Sequence, residues 1–295
     1  MPELPEVETV RAWLAPALAG ATLSRVELRR DDLRYPIPVV LVQAQVGRLV
    51  TAVRRRAKYL LIDTAPQPTV AADESGASAL LIHLGMSGRC WLESDPVDPP
   101  PWRKHEHWRM WLHTPQHQHL LRYQDARRFG ALDVVEATTP HRLLVGLGHE
   151  PFDSAFNGAW LHASTRNRKT AIKTFLMDAT RLVGVGNIYA SEACWRARVH
   201  PLKPAAKVGR AAADRLVVGV RDVLREAIAA GGSTLKDFVG GDENPGYFQQ
   251  RLDVYGRGGE PCHRCGDDPD AGDQRPIVRV VLLGRATYFC AACQR

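Results

Sequence analysis

Four of the chain's six cysteines fall in two Cys-x-x-Cys pairs near its C-terminal end, Cys262 with Cys265 and Cys290 with Cys293. Each pair supplies two thiolates from a tight knuckle, and two knuckles together complete a tetrahedral site. The spacing therefore predicts one structural zinc ion (Zn2+) held by four cysteine ligands. Such a site has no vacancy for substrate, so the metal shapes its module and takes no part in a reaction. The last segment must then fold so that positions 262 and 293 meet. Between the pairs, Ile277–Leu283 and Thr287–Phe289 read as a β-hairpin. The clustering argues for metal over three disulfides, with a redox dithiol as the competing reading. Cys90 and Cys194 stand apart and read as inert core packing.

The opposite end carries a different kind of chemistry. The chain opens Met1-Pro2-Glu3-Leu4-Pro5-Glu6. An initiator methionine is trimmed when the next residue is small, and trimming here exposes the secondary amine of Pro2. An α-amino group titrates near about 7.7–8.0, so roughly a tenth is neutral and nucleophilic at neutral pH. An amine attacking a sugar carbon yields an iminium, and the neighbouring Glu3 carboxyl is placed to protonate the ring oxygen as the sugar opens. The competing reading is a helix start, with Pro5 in the first turn and glutamates at the positive end.

Val7, Val10, Trp13, Leu14 and Leu18 then recur at helical spacing up to Gly20. Short apolar runs follow at 21–28, 39–53, 59–63, 79–83, 108–113, 120–123 and 131–135, the pattern of a β-sandwich or barrel. Stretches 64–78 and 114–119 read as exposed loops without chemistry. From Thr138 to about Ala230 helical spacing takes over, most clearly in Ala213, Leu216, Val217, Val220, Val223, Leu224 and Ile228. Gly231-Gly232-Ser233 ends the last helix, and the segment through Gly246 reads as a mobile loop. The expected fold class is α+β multidomain. An N-terminal β-sandwich domain with flanking helices spans 1–136, a helical domain 137–250 and a zinc-finger β-hairpin 251–295.

Several internal motifs point to a polyanion. Lysine and arginine exceed aspartate and glutamate by 39 to 32, for a net charge of +7 and a pI near 9.3. The run Arg166–Lys173 leads through a helix to Gly184-Val185-Gly186-Asn187, where a helix N-terminus and an amide suit a phosphate. Met86 sits between turn formers in Gly85-Met86-Ser87-Gly88, and Phe129 lies beside two guanidinium groups in Asp125-Ala126-Arg127-Arg128-Phe129-Gly130. An apolar wedge with arginines is what unstacks a duplex step and fills the hole left by an extruded base. Met86 and Phe129 as ordinary core residues is the alternative. Lys58 closes the basic cluster Arg54-Arg55-Arg56-Ala57-Lys58, either a phosphate contact or a proton-transfer group.

With these residues laid out, the chain resembles the bacterial formamidopyrimidine-DNA glycosylase family. The resemblance runs nearly end to end, through the Met1–Val10 opening, Leu84–Gly88, Arg127–Gly130, Val185–Ala190, Pro245–Phe248 and the four-cysteine finger. It implies a bifunctional DNA glycosylase and AP lyase that removes 8-oxoguanine and ring-opened purines, with a helix-two-turn-helix middle domain. By the same resemblance, Pro2 attacks C1′ and forms the Schiff base while Glu3 donates a proton. Lys58 serves β-elimination and Arg285 δ-elimination. Met86, Arg127 and Phe129 fill the vacated stack, and His105, Arg127, Lys169 and Asn187 contact DNA. Residues 231–248 cover the flipped base. The longer gap between Cys265 and Cys290, with its acidic Asp267, Asp268, Asp270 and Asp273, departs from the family pattern and is expected to point away from DNA.

The expected partner is damaged double-stranded DNA, bound by a monomer with no obligate protein partner. No apolar run is long enough to span a bilayer and no signal peptide is evident, which predicts a cytoplasmic, nucleoid-associated protein. The neighbouring readings are an endonuclease VIII-like paralogue acting on oxidised pyrimidines and a non-catalytic zinc-finger DNA-binding protein.

Overall fold

The computed structural model describes residues 2–67, 76–96, 101–232, 251–265 and 276–295. They divide into two compact units. The first runs to Val145 and takes in Gly231 and Gly232; the second runs from Gly146 to Ala230 and takes in the described residues beyond 250. Met1, most of the 64–78 loop, the 231–248 loop after Gly232, and the acidic insert of the finger lie outside the described residues.

The first unit opens with helix α1, Leu4–Leu18. Trp13 is half-buried, whereas Val7, Val10, Leu14 and Leu18 of the same stripe are buried, as the helical spacing predicts, and so is Leu4. Each such side chain contributes about 1.5–3 kcal/mol on leaving water. Pro16 lacks the N–H that would continue the ladder, and Gly20, at φ +80°, turns the chain out of the helix.

Eight antiparallel strands follow: β1 Thr22–Leu28, β2 Leu49–Arg56, β3 Tyr59–Ala65, β4 Ser78–His83, β5 Gly88–Ser94, β6 Glu106–His113, β7 Gln118–Asp125 and β8 Ala131–Glu136. Their order is β5-β7-β6-β1-β2-β3-β4-β8. β1 and β2 share a single register pair, Thr22 with Leu49, so the sheet hinges there into two four-stranded halves. One buried cluster takes side chains from all eight strands and from α1, with Trp108 stacked on Tyr123 near its centre. This is the expected sandwich.

Two local expectations fail. The 39–53 run is not one strand: Val39–Gln43 form a short helix, α2. Prolines at 36 and 38 remove ladder donors, only Val42 of the helix is buried, and Gly47, at φ +86°, redirects the chain into β2. Strand β5 lay hidden in Gly88–Ser94, where arginine, glutamate and serine break up the apolar signal.

The second unit holds α3 Gly158–Thr165, α4 Ile172–Leu176, α5 Asn187–Arg196 and α6 Arg210–Ala229, then the hairpin of β9 Ile277–Leu282 and β10 Arg285–Cys290. Asn157 caps α3 by accepting the Trp160 N–H at 2.9 Å. Helices α5 and α6 pack closely where a Cβ on Gly219 would lie 3.0 Å from the Ala193 carbonyl oxygen. The buried Glu192 carboxylate of α5 accepts the backbone N–H groups of Asp253, Val254 and Tyr255 at 2.9, 3.0 and 2.8 Å, tying the chain before the hairpin to the helix. Burial raises its pKa against the pull of those three bonds. Among the described residues no helix is long and apolar enough to cross a membrane.

Candidate active site

Pro2 and Glu3 are both buried at the start of α1. Glu3 is the N-cap of a capping box: its side chain takes the Glu6 N–H, and its own N–H donates to Glu6 Oε2 at 2.7 Å. Glu6 is therefore the residue that fixes the backbone directly after Pro2. Gly232 passes against it at φ +82°, where a Cβ would come within 3.2 Å of Glu6 Oε1. One turn on, Glu8 pairs with Arg55 of β2 at 2.9 Å, and Arg55 donates to the Ala57 carbonyl at 2.9 Å. Ala57 and Lys58 form the two-residue turn into β3, with Ala57 left-handed at φ 55°. Helix α1 is thus bonded to the strand that leads into Lys58. The half-buried lysine lies near enough to His83 to depress its pKa. Burial, Lys58 and Arg34 together lower His83 to about 4, so its Nδ1 stays free to accept the Gly85 N–H at 3.0 Å.

The Met86 and Arg127–Phe129 loops lie side by side. A Cβ on Gly85 would meet the Gly130 nitrogen at 2.4 Å, and the Tyr123 hydroxyl occupies the space where Gly88 and Gly130 would carry one. Phe129 is 42% exposed, with the Arg127 guanidinium 4.9 Å over its ring. That exposure decides against the core reading of Phe129; Met86 is half-buried. Both loops meet on Asp125, the last residue of β7, which is fully buried. His105 is exposed at φ 62° in the turn before β6, and its carbonyl accepts the Asp125 N–H at 2.9 Å.

In the second unit, Asn187 opens α5 behind the N-cap Gly186, as expected. Its amide is committed within the unit: Oδ1 accepts from Lys173 Nζ at 2.6 Å, and Nδ2 donates to the Ala286 carbonyl at 2.9 Å and to the Tyr255 hydroxyl at 3.2 Å. Lys173, buried in α4, also donates to Thr287 Oγ1 at 2.7 Å and to the Ala286 carbonyl at 3.2 Å. Arg285 begins β10 after the turn residues Leu283 and Gly284, both at positive φ. It borders a cleft of about 490 Å³ whose lining includes Arg168, Arg181, Lys173 and Asn187 with a single carboxylate, Asp178, a net basic lining suited to a phosphate. Lys169 is exposed in the segment entering this cleft.

The four finger sulfurs lie within 4.8 Å of one another and can hold a metal ion. Cys265 and Cys290 are 3.4 Å apart, Cys262 and Cys293 3.8 Å. The Trp195 indole N–H of α5 points at Cys262 Sγ from 3.4 Å, and Arg264 stacks on that indole at 3.8 Å. Burial opposes ionisation of Cys262, but hydrogen bonds from the indole, two backbone N–H groups and Cys290 outweigh it and bring the thiol down to about 6, while burial and the neighbouring sulfurs push Cys293 up to about 11.

Sequence reasoning passed over Asp125, Ser87, Tyr123 and His83, which hold the two loops, and Glu6 as the partner of Glu3. The available signal was an aspartate at the end of a strand, directly before a glycine-closed Arg-Arg loop.

Family models match on both sides of this layout: the formamidopyrimidine-DNA glycosylase N-terminal domain over residues 1–132 and the formamidopyrimidine-DNA glycosylase H2TH domain over 147–239. The formamidopyrimidine-DNA glycosylase of Xanthomonas campestris pv. campestris (strain B100) is 48% identical over 295 residues, covering both chains completely. That of Alkalilimnicola ehrlichii is 46% identical, again over the whole of both. Among solved structures, the MutM (Fpg) protein of Thermus thermophilus aligns at a TM-score of 0.78 with 36% identity, covering 99% of this chain and 98% of that one. Wild-type Lactococcus lactis Fpg (MutM), solved with DNA containing an oxidised pyrimidine, aligns at 0.82 with 28% identity over 100% of each chain. Fold and matches define a DNA glycosylase of oxidised-base repair. The chain belongs to the formamidopyrimidine-DNA glycosylase family, whose general properties include AP lyase activity.

Proposed function

We propose that this glycosylase excises oxidised purines, 8-oxoguanine and formamidopyrimidines, from duplex DNA and then cleaves on both sides of the abasic sugar. The observation that carries the reading is the buried Pro2–Glu3 pair, with the Glu3 backbone held at 2.7 Å by Glu6 at the mouth of α1. Once Met1 is removed, the Pro2 nitrogen attacks C1′, the C1′–base bond breaks, and Glu3 protonates the ring oxygen as the sugar opens to an iminium. Lys58 serves the proton transfers of β-elimination, which expels the 3′ phosphate, and Arg285 those of δ-elimination, which expels the 5′ phosphate. Met86, Arg127 and Phe129 fill the emptied stack, offsetting a flipping cost of a few kcal/mol. His105, Lys169 and the cleft at Asn187 take phosphates.

Borohydride reduction tests the nucleophile. Met-processed protein is expected to trap covalently on 8-oxoguanine duplex. Pro2→Gly is expected to lose most strand cleavage while keeping its affinity for damaged duplex. Unchanged cleavage refutes the assignment, and absence of any adduct leaves only binding. Because a structural neighbour was solved with oxidised-pyrimidine DNA, thymine glycol belongs in the same assay; preference for it over 8-oxoguanine selects the pyrimidine reading.

The finger metal is zinc in this reading. A tetrahedral ion with Zn–S bonds of about 2.3 Å sets its sulfurs roughly 3.8 Å apart; the Cys265–Cys290 and Cys262–Cys293 separations of 3.4 and 3.8 Å lie near that edge, and all four sulfurs fall within 4.8 Å of one another. The Trp195 N–H is then the outer partner of one ligand. Metal analysis of purified protein is expected to return one equivalent of zinc; well under one contradicts it.

A further inference from the structure

The Asp125 carboxylate has four donors for its two oxygens. Oδ1 accepts from Ser87 Oγ at 2.6 Å and from the Arg127 N–H at 3.2 Å; Oδ2 accepts from the Gly130 N–H at 2.8 Å and the Tyr123 hydroxyl at 3.2 Å. Ser87 belongs to the Met86 loop, and Arg127 and Gly130 bracket Phe129. The backbone of Asp125 does the same work. Its N–H goes to the His105 carbonyl at 2.9 Å, and its carbonyl meets His107 Nε2 at 2.8 Å and the Arg128 N–H at 3.3 Å. Arg128 sits at φ 56°, a strained position for an arginine that the bonds on either side hold in place.

We infer that Asp125 is the positioning residue of the base-stack wedge: it locks the Met86 loop, the Arg127–Phe129 loop and the His105 turn into one preorganised body before DNA arrives. This rests on the proposed wedge role of Met86, Arg127 and Phe129. The physical reason is entropic. Two independent loops inserting into a duplex must each be ordered at the moment of insertion, whereas loops already joined on a saturated buried carboxylate lose little further freedom. A carboxylate suits the task better than an amide, because all four of its neighbours donate and a side-chain NH2 would be set against at least one of them.

The test is Asp125→Asn, close to isosteric, assayed on two substrates. Excision from an 8-oxoguanine duplex requires the wedge. β-Elimination at a preformed abasic site in single-stranded DNA has no stack to open or fill. Asp125→Asn is expected to lower duplex excision about 10²-fold, the scale of an ångström-sized misplacement, and to leave the single-strand reaction within about twofold of wild type, the scale of an unperturbed site. 2-Aminopurine opposite the lesion is expected to lose its wedge-dependent fluorescence change. Ser87→Ala, which removes one donor to Asp125 and the Oγ that accepts the Arg127 N–H at 3.1 Å, is expected to fall between. An equal loss on both substrates shows a merely structural role and overturns the inference, as does no loss on either. Phe129→Ala separates the two levels: if it leaves duplex excision intact, the wedge reading itself fails. If it impairs excision while Asp125→Asn does not, only the role of Asp125 fails.

Discussion

In each unit a buried ionisable side chain joins the elements of the candidate site, Asp125 in the first and Lys173 in the second, and the two are satisfied in opposite senses. Asp125 gathers four donors, all from within about 40 residues of sequence, one on β7 itself and three in the turns beside β5, β7 and β8; Gly88 lies directly across from it on β5. Lys173 gathers acceptors from Asn187, Ala286 and Thr287, the last two on a hairpin more than a hundred residues away. The first charge organises loops that the sheet has already brought together. The second, with Glu192 and the four thiolates, makes the contact between helices and hairpin. The first should therefore tune activity with modest effect on folding, and the second should decide whether its unit holds together at all.

The sharpest challenge to that contrast is metal removal. Structural zinc contributes on the order of 10 kcal/mol to the folding of small metal modules. Stripping the proposed zinc is expected to expose the β9–β10 amides to hydrogen exchange and abolish tight duplex binding, while β2–β4 amides of the first unit keep their protection. Loss of protection in both units would erase the distinction.

Next in size is Lys173→Met. It leaves the Asn187 Oδ1 and Thr287 Oγ1 without their ammonium, while the Ala286 carbonyl keeps its bond from Asn187 Nδ2 at 2.9 Å, and each buried unsatisfied group costs about 1–3 kcal/mol. A loss of about 3 kcal/mol in denaturant titration is expected, confined to the second unit; a loss below about 1 kcal/mol would make this lysine no more than a surface contact.

A smaller effect separates the units by pH. His83 is held neutral in the folded first unit, with its pKa lowered to about 4 from an unfolded value near 6.5. The unfolded chain binds the proton first, so the contribution is complete above pH 6.5, falls as the pH drops toward 4, and levels off below. Thermal melts of His83→Asn should lack that part of the acid slope. An unchanged slope would remove His83 from the Met86 loop's support. Smallest of all is Arg54→Ala. The Arg54–Asp63 pair joins β2 to β3, but its arginine is 59% exposed, and its loss is expected to stay within about 1 kcal/mol. A larger cost in the same titration would mean that surface pairs matter more to this sheet than buried ones.

The N-terminal helix, the sandwich, the α6 stripe and the cysteine hairpin were legible because each repeats a period or a spacing that backbone geometry imposes. Strand β5 and helix α2 were not. Strand β5 carries arginine and glutamate within its span, and its Glu93 reaches the fully buried Arg122 of β7, which Glu106 also holds. The valines of α2 are mostly exposed, against their usual preference. The expected site residues were visible as chemistry-bearing side chains in motifs. Their supports were not, since an aspartate at a strand end or a serine in a turn has many roles in a sequence and acquires one only from its neighbours.

What the sequence determined by itself is therefore the inventory: a proline at position 2, a glutamate beside it, four thiols in two knuckles, and two arginines directly before Phe129. These are matters of residue type and local spacing, and both are written along the chain. The tertiary structure decided which of them are held still. Glu6 reaches back to Glu3, Asp125 joins loops from two strands, and Lys173 bridges helix and hairpin, because a buried polar group must find its partners wherever the fold brings them.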